Sequence, residues 1–149
     1  MRQNSLELVL EMEQRKEQKA AQEFGTAKNQ LEMQRRRLAG LTSYRQDYLN
    51  QANQKAQGGL GSAAFGQYHA FVGKLDEGIE QQRSQLERIA SHVESLRQAW
   101  MQRQQRRKAV EMLLEKRIEE ANRKRERQEQ KTSDEFAMQG FLRRIRGNS

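Results

Sequence analysis

Side chains that commonly carry catalysis or hold metal are sparse in this chain. Cysteine is absent, which removes disulfides, thiolate metal sites and thiol nucleophiles. The only two histidines, His69 and His92, lie far apart, and neither has a second ligand at metal-binding spacing. Each reads as a surface residue of a helix. The stretch GQYHAFVGKL puts six residues between Gly66 and Gly73 and follows Lys74 with Leu75. A phosphate-binding loop needs four residues between its glycines, then lysine and serine or threonine, after a strand. Carboxylates are numerous but sit among cations at i±3/4, the arrangement of surface ion pairs on helices. No enzymatic activity, no metal and no cofactor are expected.

What remains is the chemistry of a surface. Leu41, Tyr44 and Tyr48 follow steps of 3 and 4, and so do Tyr68, Phe71 and Leu75. Leu41, Tyr48 and Leu75 fit the phase of a single helical seam. Tyr44 does not, and Phe71 lies beside Val72. The excess is expected to spill onto an exposed flank, where aromatic residues among small polar neighbours act as interface anchors. The competing expectation is a locally widened core.

These residues flank the stretch 57–66, which holds four of the ten glycines in a chain without proline. Glycine weakens helices by roughly 1 kcal/mol relative to alanine and opens left-handed backbone, so a turn is expected at about 57–62. Arm one, about 4–56, carries an apolar row at Leu6, Leu10, Ala20, Phe24, Ala27, Leu31, Leu38, Leu41, Tyr48 and Ala52, with polar gaps at Glu13, Glu17, Gln34 and Arg45. Asn4 and Glu7 have capping-box spacing. As a helix this arm would be roughly 80 Å long at about 1.5 Å per residue. Arm two, about 63–140, has Ser62 as its expected N-cap. Its row runs Phe65, Tyr68, Val72, Leu75, Ile79, Leu86, Ile89, Val93, Leu96 and Trp100, broken only at Gln82. Beyond Trp100 the seam positions are Arg103, Arg107, Val110, Leu114 and Ala121. The expected coiled-coil core is Leu31, Leu38, Ile79, Leu86, Ile89, Val93, Leu96 and Trp100.

The predicted fold is therefore all-α, a single domain formed by a long antiparallel two-helix coiled-coil hairpin. The apolar share of 34%, below the typical ~45–50%, fills a narrow seam but not a globular core. The arms differ in length, so folding about residue 59 places Asn4 near residue 114 and leaves Lys116 to Ser149 without an intramolecular partner. A disordered tail is expected over 141–149. The net charge is +8, of which residues 97–149 carry +7, and an acidic partner is expected for that end. No signal-peptide run or membrane span is visible, and a cytoplasmic location is the default.

The run Leu41-x-x-Tyr44-Arg45-x-x-Tyr48, the glycine-containing turn, Tyr68-x-x-Phe71-x-x-x-Leu75-x-x-x-Ile79-Glu80-Gln81, Trp100 and Gln130-Lys131-x-x-Asp134-Glu135-Phe136-Ala137 together resemble the FliJ family of the flagellar type III export apparatus. The resemblance departs at Phe65, where relatives often carry tryptophan, and at Arg37, Gly78 and Gln82. It implies a soluble, non-enzymatic antiparallel coiled coil similar to the central stalk subunit of rotary ATPases, monomeric when isolated. It implies that the end holding both termini enters the hexameric export ATPase, with Arg103, Arg106, Arg107 and Lys108 as the ATPase-facing basic end. Leu41, Tyr44, Tyr48, Phe71 and Leu75 match the family's binding positions for the membrane export gate. Export chaperones are further implied partners, and the implied location is the cytoplasmic side of the inner membrane at the flagellar base. Two rival functions are a nucleic-acid-binding coiled coil and a membrane-scaffolding basic coiled coil. Nucleic acid is not expected as a partner, because the basic part follows the coil and is interrupted by Glu111, Glu115, Glu119 and Glu120.

Overall fold

The computed structural model describes residues 2–59 and 61–148, with side chains from Asn4 onward. They form two helices packed against each other, α1 over Arg2–Gln57 and α2 over Ser62–Gly147, and no strand occurs among the described residues. With no proline, and with glutamine, arginine, glutamate, leucine and alanine the commonest residues, nothing in either arm opposes helix formation strongly. Gly25 and Gly40 are carried within α1 without interrupting it.

The reversal uses its glycines in specific ways. The Gly58 amide donates to Gln54 O at 3.1 Å and the Gly59 amide to Ala56 O at 3.3 Å. Gly59 has φ +97°, a left-handed conformation that ends a helix at little cost only without a Cβ. On the far side the Phe65 amide donates to Gly61 O at 3.1 Å. Gly61 is thus the capping residue and Ser62 the first helical one, a correction to the expected N-cap. Leu60, within the expected turn, lies outside the described residues. Asn4 lies inside α1, which already begins at Arg2, so the Asn4–Glu7 capping box is not formed at a helix start.

Packing divides the chain into two compact units, residues 17–102 and residues 1–16 with 103–149. In the first, Ala27, Leu31 and Val93 are buried, with Phe24, Leu86, Ile89, Ala90 and Leu96 packed against them. Phe24 stacks on Trp100 with centroids 5.7 Å apart and planes 13° from parallel. Ala52, Val72 and Ile79 are also buried. Each large aliphatic side chain removed from water contributes roughly 1.5–3 kcal/mol. Pairings climb α1 as they descend α2, from Phe24 with Trp100 through Gln34 with Gln82 and Arg45 with Asp76 to Tyr48 with Tyr68, which makes the helices antiparallel. The polar gaps thus meet across the seam: Gln82 Nε2 donates to Gln34 Oε1 at 2.6 Å in a partly buried setting.

In the second unit, Leu6, Leu10 and Glu13 of α1 are half-buried, as are Arg103, Arg107, Val110, Leu114 and Arg117 of α2. Here the seam is wetter. Glu13 Oε1 lies 3.9 Å from Lys16 Nζ, and its buried Oε2 has no hydrogen-bond partner among the described residues. Ala121, expected in the seam, is exposed. From Ile118 onward every described residue except Gly140 is exposed, as the unequal arms require. The helix nonetheless continues to Gly147, where the sequence points to a disordered tail from 141. Side-chain bonds one turn apart accompany it, from Arg125 to Asn122 at 2.9 Å and from Gln130 to Asp134 at 3.1 Å.

Candidate functional site

The last third of α1 and the opening turns of α2 bring four aromatic rings together. Tyr48 lies at the centre, with ring centroids 4.8 Å from Tyr68, 4.7 Å from Phe71 and 6.2 Å from Tyr44, all tilted. Such tilted contacts suit the ring quadrupoles. Lys55 closes one side. Its Nζ lies 5.4 Å from the Tyr68 ring centroid and donates to Tyr68 Oη at 2.8 Å. That hydrogen bond is the main reason its ammonium is held above its ordinary pKa. Nearby along both helices, the Arg45 guanidinium grips the Asp76 carboxylate with two nitrogens, the Nη2 to Oδ2 contact being 3.4 Å. The same bond raises the arginine pKa.

The cluster is graded from inside to outside. Tyr48 and Tyr68 are half-buried, whereas Tyr44 is 51% exposed and Phe71 38%. Leu41 and Leu75 are half-buried, in keeping with their seam phase. The five expected patch residues are therefore three clustered rings, two of them exposed, and two leucines of the seam. Gln82 is a seam residue bonded to Gln34, while Arg37 and Gly78 are exposed.

The four expected basic residues also divide. Arg106 and Lys108 are exposed, while Arg103 and Arg107 are half-buried. Arg107 Nη1 donates to Glu111 Oε2 at 2.9 Å. Among the described residues no group of three histidine, cysteine, aspartate or glutamate side chains could hold a metal ion. One open surface groove is lined by Lys19, Glu23, Thr26, His92 and Leu96.

The flagellar FliJ protein family matches residues 1–146. The chain belongs to that family. Flagellar FliJ proteins from Salmonella typhi and from Escherichia coli (strain K12) are each 26% identical to it over 140 residues, covering 94% of this chain and 95% of theirs. No solved structure matches. FliJ family membership makes the chain a component of the flagellar export apparatus. No helix among the described residues is long and apolar enough to cross a membrane.

Three features in or beside this aromatic cluster are not visible in the residue spacing. Lys55 sits about two helical turns beyond Tyr48, and nothing in its spacing marks it as a partner of Tyr68. His69, read as a plain surface residue, meets Phe65 edge-on at 4.5 Å. The Arg45–Asp76 pair joins a gap in one arm to a residue outside the seam row of the other. The usable signal was in the glutamines: Gln34 and Gln82 are polar gaps at nearly equal distance from the turn.

Proposed function

We propose that this FliJ family chain is a non-enzymatic stalk and adaptor in flagellar type III export. The segments bearing its termini, with Arg106 and Lys108 outward, enter the hexameric export ATPase. The aromatic flank beside the turn docks on the membrane export gate. Export chaperones are escorted and recycled by the same chain. The observation that carries the gate reading is the grading of the aromatic cluster: Tyr44 and Phe71 are exposed, yet both rest on the half-buried Tyr48. Rings already held by their neighbours lose little freedom when a partner covers them, which is what an interface anchor requires.

Tyr44→Ala tests this. Helicity by circular dichroism should be unchanged, and affinity for the isolated cytoplasmic portion of the gate should fall by roughly tenfold, as for an interface anchor. Loss of helicity in Tyr44→Ala would instead make Tyr44 part of the core.

A further inference from the structure

The final turns of α2 carry a second surface, unlike the aromatic flank in chemistry. Met138, Phe141, Leu142 and Ile145 follow i, i+3, i+4 and i+7, and each is at least 45% exposed. At about 100° per residue they occupy one stripe ~100° wide. Arg144 falls beside one edge of that stripe and Arg146 beside the other, with Arg143 on the opposite face. No acidic residue follows Glu135. The preceding turns differ sharply. Arg123, Lys124, Arg125 and Arg127 are interleaved with Glu126 and Glu129 and accompany no apolar stripe, as expected of a helix face left in water.

We propose that residues 138–146 form an amphipathic anchor for an anionic lipid surface. A narrow apolar stripe edged on both sides by arginine suits a helix lying in the plane of a bilayer interface. There the apolar side chains enter the acyl boundary and the guanidinium groups reach the phosphates. The uniformly positive charge of the segment complements anionic headgroups and nothing neutral. The arginines also sit at a helix C-terminus, where the backbone dipole favours cations, so the binding conformation is already formed. At nine residues the segment is far too short to span a bilayer and lies on its interface, and no helix among the described residues is long and apolar enough to cross. This inference does not rest on the proposed gate or ATPase contacts.

The test is co-sedimentation of the full chain with vesicles of phosphatidylcholine alone and with about one-third phosphatidylglycerol. The expected result is binding only to the anionic vesicles, weakening as salt is raised. Arg144→Gln and Arg146→Gln should each weaken it roughly fivefold, the effect of about 1 kcal/mol per cation at an anionic surface. Phe141→Glu should abolish it, with helicity retained by circular dichroism and Arg144→Gln as a milder variant should Phe141→Glu perturb the helix. Equal binding to both vesicle types, no binding to either, or binding unchanged by Phe141→Glu and Arg144→Gln overturns the proposal. Absence of vesicle binding alongside Phe141-dependent capture of an acidic protein would assign the stripe to a protein groove instead.

Discussion

Two stretches of the same seam, both within residues 17–102, are built differently. The first, around Phe24, Ala27, Leu31, Leu86, Val93 and Trp100, is uninterrupted apolar packing with small residues letting the helices approach. The second, from Gln34 with Gln82 to the tyrosines near the turn, alternates buried apolar positions with paired polar ones. Dry packing stabilises but discriminates poorly, because sliding one helix by a heptad brings similar side chains together. A paired polar group inside a seam is satisfied in one register only, so it costs some stability and fixes alignment. One stretch therefore supplies cohesion and the other supplies address.

A single charge should do the most damage in the dry stretch. Leu86→Asp puts a charge against the buried cluster of Ala27, Leu31 and Val93 and should cost about 3 kcal/mol in urea unfolding. A loss no larger than that of a surface substitution would mean the stretch is not dry. Next is Gln82→Leu, which strands the Gln34 carbonyl and should cost about 1–2 kcal/mol. The double variant Gln34→Leu/Gln82→Leu should recover that loss while relaxing register. Trp100 is the chain's one tryptophan, so its indole NMR signal reports the outcome: one resonance in the wild type, several in the double variant. A single resonance in both would remove the addressing role.

Smaller still is Asp76→Asn. Arg45 and Asp76 are substantially exposed, and such a pair is largely screened by water and salt. Its unfolding curve should shift less than that of Gln82→Leu, and the shift should shrink as salt is added. The smallest effect belongs to Glu94, whose carboxyl is gripped by Arg97 at 2.7 and 2.9 Å on the exposed face of α2. That hydrogen bond lowers its pKa below the ordinary 4.5. The unfolded chain takes up the proton first, so the pair stabilises the fold above about pH 4.5 and ceases to as pH falls through the lower folded value. Acid unfolding of wild type and Glu94→Gln should differ slightly near neutrality and converge at low pH.

The seam was legible because burial at a two-helix contact repeats every three to four residues. Positions such as Leu31, Ile79 and Val93 follow from spacing alone, and each polar gap also lies in the seam. Where the arms cease to pair was legible from their lengths. The exact caps were not. Gly61 and Ser62 compete for one role, and a one-residue difference in which carbonyl accepts the first helical hydrogen bond decides it. Ala121 fitted the period but is exposed, so period overstates burial where no described residue packs opposite. In the aromatic cluster, the excess of rings was visible, and so was the misfit of Tyr44. Which ring would lie at the centre was not, because that depends on side-chain directions across two helices rather than along one. Lys55 was hidden for the same reason.

The antiparallel arrangement also orders the contacts by how much chain must be closed to make them. Lys55 and Tyr68 are 13 residues apart, Arg45 and Asp76 31, Gln34 and Gln82 48. Closure entropy rises with each step, by about 0.6 kcal/mol per doubling. The short reversal at Gly59 therefore makes the aromatic end the least costly place for the arms to meet. Assembly can proceed from there as a zipper, each closed pair shortening the search for the next. The rings offered to a partner in the finished molecule are then also among the first to find each other as it folds.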